Sequence, residues 1–472
     1  MGVEFLMNFS RLTGRMFAFL WELKDNDRNP YYGIARDELS LDRSELDKIS
    51  FERLDKILDY AWRHSRHYQS RFAEWGVRPQ DFKSFDDLRR FPCLTRDDLR
   101  MNIEDISVKG LDRSGWTKSA TGGTTSSPVS YYRDRHSTWR RWADTRIIDS
   151  WYGYNLGDRK AYLWGASQDF SGKPSLGMRL RNIMCQRNII LPSAPLDEEI
   201  LENHLQRLDK WQPTFLQAFP SPLNEFCCYL RDKNRSLPYL KGVSVTAEPL
   251  YTHHREVIES VLGLKVFNWY GSRELGRVAS ECECHDGLHL NEPSVYVEVE
   301  QDSSLPEGFG HLIITDLWNR ATPFIRYRTG DIARIVMGAC SCGRALKRVA
   351  SIEGRLTDMV VLPGGRKITG IVMASRLATN SSEIPERQVI QEGLGNFRIL
   401  YVKGPNFRAS SLDSFKEKFF ELLDTEVTIT FEEVSEIPRE RSGKIRFVKC
   451  EITDSGELIS EPDGEQREGF HV

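Results

Sequence analysis

The sequence predicts an α/β protein with a large N-terminal domain of mixed and parallel sheets and a small α+β domain at its C-terminal end. Three changes of texture carry that expectation. Residues 1–110 read as helices. From about residue 116, short apolar stretches alternate with helical patterns and Gly/Ser/Thr loops. Near residue 354, Gly354, Pro363, Gly364 and Gly365 punctuate the chain ahead of a strand–helix–strand tail. Strands interleaved with helices are the signature of a largely parallel sheet covered on its faces.

In the opening segment Leu54, Ile57, Leu58 and Ala61 fall on one helix face, with charged residues between them. The next part offers strands at Ala161–Trp164 and Lys241–Val245 and helices at Leu196–Leu208 and Leu223–Leu230. Strand patterns follow at Ser294–Glu300 and His311–Thr315. In the tail, strands at Phe397–Val402 and Val427–Phe431 flank a helix over Ser411–Leu423. These textures place a large domain over 1–354, divided into 1–110 and 111–354, and a tail over 355–472. The last dozen residues are rich in Glu, Asp, Gly and Ser and are expected to be disordered.

A length of 472 residues fits two or three domains. Sixty-five Lys and Arg against 68 Asp and Glu leave a formal charge of -3, without the basic excess of a nucleic-acid partner. A mean hydropathy of -0.48 and the lack of any apolar run near roughly 18 residues exclude a membrane span. Met16–Trp21 is too short for a signal-peptide core, and Leu6 stands where a myristoylation signal after Gly2 needs Ser or Thr. Nine cysteines in so long a chain make no disulfide scaffold, so a cytoplasmic location is expected.

Four segments carry chemistry. Thr121-Gly122-Gly123-Thr124-Thr125 brings backbone N–H groups and hydroxyls to one loop, suited to an anion or to a plain surface turn. Asn268-Trp269-Tyr270-Gly271-Ser272-Arg273-Glu274 follows Ala247-Glu248-Pro249. There Tyr270 offers a ring for stacking and Glu274 a carboxylate for Mg²⁺, although the same pattern also reads as a strand end before a charged helix start. Arg328-Thr329-Gly330-Asp331 reads as a turn whose Asp accepts from vicinal hydroxyls and whose Arg neutralises phosphate. Finally, Gly443 lets the backbone project Lys444 from a basic loop, where one ammonium can stabilise an anionic transition state. Separately, Cys282, Cys284, His285, His289, Cys340 and Cys342 offer more donors than the four that a structural Zn²⁺ takes.

Taken in this order, the four segments resemble the adenylate-forming superfamily of acyl- and aryl-CoA synthetases and adenylation domains. The nearer likeness is to its phenylacetate–CoA ligase-like and capsule-biosynthesis-type branch. The segments "HSRHYQSRF" and "DLRRFPCLTRDDLR" resemble the opening of that branch as well. The resemblance implies an ATP-dependent ligase for a small-molecule carboxylic acid: an acyl-adenylate forms with loss of pyrophosphate, and CoA thiol then displaces AMP.

The same resemblance gives roles to individual residues. Thr121–Thr125 would hold the ATP phosphates. Ala247, Glu248, Pro249, Tyr270, Gly271 and Ser272 would frame the nucleotide, with Glu274 on Mg²⁺. Asp331 would hold the ribose hydroxyls, with Arg328 nearby. Arg355 would approach the nucleotide, Asp358 would be the hinge of a mobile lid, and Lys444 would serve adenylation. Phe219-Pro220-Ser221-Pro222 and Trp164-Gly165-Ala166 fall in the acyl-pocket region.

Several positions depart from the family pattern: Ser126, Thr357, Glu440 and Thr369-Gly370-Ile371. The last of these keeps an amine, a carrier-protein thiol or a cofactor open as the acceptor. A non-catalytic nucleotide-binding scaffold is the further alternative. For the metal, branch members resemble Glu-Cys…Gly-x-His plus Cys-x-Cys-Gly-Arg. That likeness favours Cys282, His289, Cys340 and Cys342 as structural Zn²⁺ ligands, with Cys284 and His285 in reserve.

Overall fold

The structure, a computed structural model, describes residues 29–108, 113–120, 130–155, 157–165, 187–194, 196–303, 305, 307–355, 359–362, 367–370, 373, 376–377, 383–423, 425, 427–438 and 446–452. The chain divides into two compact units. The first runs to Gln301 and takes in Gly308–Ile352. The second takes Asp302–Glu307 and, from Glu353, the described residues of the C-terminal part.

The first unit opens with helices α1 (Asn29–Glu38), α2 (Arg43–His64), α3 (Arg66–Glu74) and α4 (Arg96–Ile106). Asp42 begins α2 with a capping box, its carboxylate accepting from the Glu45 N–H, and the helix buries Leu54, Ile57, Leu58 and Ala61. Ser65 ends α2 and caps α3 through its hydroxyl, so one residue fixes the bend between the two helices.

A hairpin of β1 (Thr117–Ala120) and β2 (Ser130–Arg133) precedes the long helix α5 (Arg135–Trp151). There follow β3 (Lys160–Leu163), β4 (Asn188–Leu191), α6 (Glu198–Trp211), β5 (Phe215–Ala218), α7 (Pro220–Asp232), β6 (Gly242–Val245), α8 (Thr252–Leu262) and β7 (Val266–Ser272). β4, β3, β5, β6 and β7 lie side by side in parallel. Leu205, Leu208, Leu223, Phe226 and Ile258 from the helices pack with Leu163, Leu216, Val243 and Val245 from the strands. Strands covered in this way read as short apolar runs rather than alternating ones.

At β7 the sheet changes character. β8 (Gly276–Glu281), β9 (Leu288–Leu290), β10 (Val295–Gln301), β11 (Phe309–Asp316), β12 (Tyr327–Val336) and β13 (Arg348–Arg355) extend it in the order β7-β8-β9-β13-β12-β11-β10. Every pair in this half with an assigned register is antiparallel. The opening helices pack here: Leu58, Tyr68, Phe72 and Leu99 share a core with Val278, Leu312, Phe324 and Val349.

The second unit has a hairpin of β14 (Met359–Val361) and β15 (Lys367–Thr369). Beside it is a four-stranded sheet of β16 (Arg387–Gly393), β17 (Asn396–Tyr401), β18 (Thr428–Glu433) and β19 (Val448–Cys450) in the order β18-β17-β16-β19. Helix α9 (Ala409–Leu423) makes the crossover between the parallel strands β17 and β18, with Phe415 and Phe419 packed on Phe397 and Phe431. The expected last dozen disordered residues fall outside the described residues.

Two local expectations are corrected. Ser272 does not lead into a charged helix: the chain turns straight back into β8. Thr329-Gly330-Asp331 is not a free turn but part of the ten-residue strand β12, which pairing with β11 enforces.

Candidate functional site

In sheets of this kind ligands bind beyond the C-terminal ends of the parallel strands. At those ends Trp164, just past β3, and Phe219, just past β5, meet with ring centroids 4.3 Å apart. Beyond β6, Ala247 adopts a φ of 72°, and Glu248 reaches across to α7. Its Oε2 accepts from the Ser221 N–H at 3.0 Å and from the Ser221 hydroxyl at 2.6 Å. A carboxylate on the N-terminal turn of a helix is favourable, so Glu248 ties two strand-end loops together.

The β7–β8 turn carries the next group. Gly271 is required there, since a Cβ would stand 2.2 Å from the Gly276 carbonyl oxygen across the hairpin. The Ser272 hydroxyl accepts from the Leu275 N–H at 3.1 Å and closes the turn. Glu274 is buried, and its carboxylate makes no ion pair and accepts no hydrogen bond among the described residues. Its two oxygens are thus left available as hard donors. Hard oxygen donors of this kind suit a hard cation, so the donor chemistry fits Mg²⁺.

β12 supplies Asp331 through a bulge. His311 pairs with Ile332 and Ile313 with Arg328, so Leu312 alone opposes Thr329, Gly330 and Asp331. Gly330 takes a φ of 86°. The Thr329 hydroxyl donates to the Leu312 carbonyl at 3.0 Å and accepts from the Asp331 N–H at 3.1 Å. The Tyr270 hydroxyl donates to Asp331 Oδ2 at 2.5 Å. Burial, and then the Asp331 carboxylate, push the Tyr270 phenol well above its usual range, so it stays protonated and donating; Glu274 adds to the same effect. Tyr270, Glu274 and Asp331 are thus brought together. Arg328 is committed elsewhere, paired with Glu300.

Thr121–Thr125, Asp358 and Lys444 lie outside the described residues, as do Ser126, Thr357 and Glu440. Arg355 is the last residue of β13. Sequence reasoning missed Arg141 and Arg133, which hold the β7–β8 turn from below. The Arg273 carbonyl accepts from Arg133 Nη2 at 2.8 Å, from Arg141 Nη1 at 3.0 Å and from the Tyr131 hydroxyl. No local motif marks these two arginines.

A second cluster gathers Cys282, His289, Cys340 and Cys342, whose ligand atoms all lie within 4.8 Å of one another. Cys282 and Cys340 Sγ are 3.7 Å apart, and Cys342 Sγ is 3.3 Å from His289 Nε2. Zinc–sulfur and zinc–nitrogen bonds of usual length give tetrahedral edges of about 3.6–3.8 Å, so the donor set fits Zn²⁺. His289 Nδ1 lies 3.3 Å from the Leu346 carbonyl, which leaves Nε2 facing the thiols. Burial lowers the His289 pKa to about 4, keeping the imidazole neutral as a ligand must be. The reserves are engaged outside the cluster: Cys284 Sγ accepts from Ser341 at 3.2 Å, and His285 Nδ1 lies 3.1 Å from Glu281.

The large domain, with a strand-end site beside a turned-back hairpin, together with the small α+β unit, has the fold of adenylate-forming CoA ligases. 2-Hydroxyisobutyryl-CoA ligase, solved in the postadenylation state in complex with 2-HIB-AMP, superposes with a TM-score of 0.71 at 21% identity, over 88% of this chain and 91% of that one.

By sequence the chain is a homologue of the phenylacetate-coenzyme A ligases and of CapK. The phenylacetate-coenzyme A ligase of Escherichia coli (strain K12) is 27% identical over 436 residues, 87% of this chain and 90% of the relative. That of Pseudomonas putida is 29% identical over 66% of this chain and 71% of the relative. Protein CapK of Staphylococcus aureus is 22% identical over 86% of this chain and 89% of its own. Residues 360–451 match the family model of the CapK C-terminal domain.

Proposed function

We propose that the chain is an ATP-dependent carboxylic acid–CoA ligase. The acid's carboxylate oxygen attacks the α-phosphorus of ATP and pyrophosphate leaves. The CoA thiolate then attacks the acyl carbon of the adenylate and AMP leaves. The meeting of Tyr270, Glu274 and Asp331 beyond the parallel strand ends carries this reading. Homology to CoA ligases along most of the chain supports it.

In this assignment Tyr270 packs against the adenine and orients Asp331, which accepts from the ribose hydroxyls. Gly271 and Ser272 shape the turn, and Ala247-Glu248-Pro249 borders the nucleotide. Glu274 holds Mg²⁺, which when bound screens the charge of the phosphates. Thr121–Thr125 takes the phosphates, and Arg355 and Lys444 complete the adenylation site. Residues 1–354 form the adenylation domain and 355–472 the lid, pivoting at Asp358. Trp164 and Phe219 make an aromatic wall suited to an aryl or short branched acid. Cys282, His289, Cys340 and Cys342 bind a structural Zn²⁺. Among the described residues no cysteine forms a disulfide, which supports a cytoplasmic location. Among the described residues, no helix is long and apolar enough to cross a membrane.

Pyrophosphate exchange with a panel of aryl and short branched acids tests the first half-reaction; no exchange with any of them would sink it. A second reading keeps adenylation and changes the acceptor. It is favoured by the CapK-type C-terminal match over 360–451, which includes the unusual Thr369-Gly370-Ile371. Mass spectrometry of products formed with CoA, amines and a carrier-protein thiol in competition separates the two.

A further inference from the structure

We propose that Arg141, oriented by Asp316 and flanked by Arg133 and Tyr131, is a positioning residue for Glu274. It fixes the β7–β8 turn through main-chain carbonyls and so sets where the Glu274 carboxylate meets a divalent cation. The role given to Glu274 rests on the ligase reading above.

A short hairpin turn has little packing of its own, and residues 273–275 would sample several conformations if left alone. Here two consecutive carbonyls are held. Arg141 spans them, Nη1 on Arg273 at 3.0 Å and Nη2 on Glu274. Its guanidinium is itself fixed, because Nη2 also donates to Asp316 Oδ2 at 2.7 Å. Asp316 cannot swing away, since its other oxygen accepts from the N–H groups of Trp318 at 2.8 Å and Asn319 at 3.1 Å. The pair is largely dry, with 13% of the Arg141 side chain and 4% of the Asp316 side chain exposed. Gly276, with a φ of 75°, lets the hairpin cross close above Arg141; a Cβ there would stand 3.1 Å from its Cγ and Cδ.

The planar fork of Arg matches two adjacent carbonyls and a carboxylate at once, which a Lys ammonium cannot do. Arg141 lies close enough to oppose the charge of Arg133, and Asp316, hydrogen-bonded to Arg141, offsets part of that repulsion. Neither guanidinium pairs with the Glu274 carboxylate, which makes no ion pair among the described residues. The guanidinium groups donate to the turn's carbonyls and leave the Glu274 carboxylate available to a cation. Residues that orient a metal ligand commonly contribute about 10–100-fold in affinity.

The test uses the full chain and Mn²⁺ as the probe, titrated by electron paramagnetic resonance in saturating ATP. Arg141→Met is expected to weaken Mn²⁺ binding about 10–100-fold, with partial recovery in Arg141→Lys. In pyrophosphate exchange the Arg141→Met deficit should shrink as Mn²⁺ rises, while the KM for the acid stays put. A merely structural role would leave the Mn²⁺ titration of the folded protein unmoved. Wild-type Mn²⁺ affinity in folded Arg141→Met overturns the inference, as does a wild-type chain that binds no Mn²⁺ with ATP. If Arg141→Met fails to fold, Asp316→Asn loosens the same guanidinium and should give an intermediate loss; unchanged affinity there overturns it equally. Mn²⁺ binding that depends on Arg141, without exchange for any acid, would defeat the ligase reading and uphold this one.

Discussion

Tyr270 donates a hydrogen bond to Asp331 at 2.5 Å, although β8, β9 and β13 separate their strands in the sheet order. Four strand spacings along a flat sheet would be about 19 Å, well beyond the reach of a tyrosine side chain. The antiparallel half must therefore curl back on itself, and the site occupies the inside of that curl.

Breaking this contact should act on the nucleotide rather than on the fold. A hydrogen bond to a charged group is worth about 1.5–3 kcal/mol. Asp331→Asn is expected to raise the KM for ATP in pyrophosphate exchange by about 10–100-fold. Tyr270→Phe, which keeps the ring, should cost about tenfold. An unchanged KM for ATP in both variants would remove Asp331 from the ribose.

Gly271→Ala tests the turn from its backbone. With the Gly276 carbonyl 2.2 Å from the new Cβ, the hairpin has to open. Exchange activity should fall by at least about a hundredfold, because displacements near 1 Å cost that much. A fully active Gly271→Ala enzyme would mean that the turn does not place a catalytic group.

Purified protein is expected to contain close to one zinc per chain by elemental analysis. A strong chelator, or Cys340→Ser, should lower the melting temperature by several degrees, since binding energy at a structural site is folding energy. Metal-free protein with an unaltered melting temperature would rule the cluster out as a zinc centre.

Acid should destabilise the chain through Asp149. Burial raises the pKa of this carboxyl, but Lys160 at 3.0 Å and Arg277 at 2.8 Å outweigh burial and hold it below the usual range. A folded-state pKa below the unfolded value of about 3.9 adds stability above that pH, which is lost as pH falls through the folded value. Urea unfolding should therefore weaken progressively below about pH 4. Lys160→Met, which removes a buried partner, should cost about 3–5 kcal/mol at neutral pH. A cost under about 1 kcal/mol would show the pair to be effectively solvated.

Much of this was legible in the sequence where local pattern decides the outcome. The Leu54, Ile57, Leu58 and Ala61 stripe sits on a buried helix face, and the short apolar runs are strands of the parallel half. What stayed hidden depends on partners far along the chain. Helix α5 carries four arginines and reads as polar, yet Arg140 is fully buried against Asp144, Glu38 and Ser294. Only the fold supplies Glu38 and Ser294. Likewise Thr329-Gly330-Asp331 has the residues of a turn, and its place within a strand follows from β11 alone.

The bulge in β12 inserts three residues where its partner has one, an excess of two. Side chains alternate with a period of two, so an even insertion leaves the strand's inner and outer faces in phase. Ile332 and Ala333 stay in the core after it, as Tyr327 does before it. An acid can thus be lifted out of an otherwise ordinary strand without rewriting the packing on either side. Deleting one residue here would turn half the strand inside out, whereas deleting two would erase the site and spare the core.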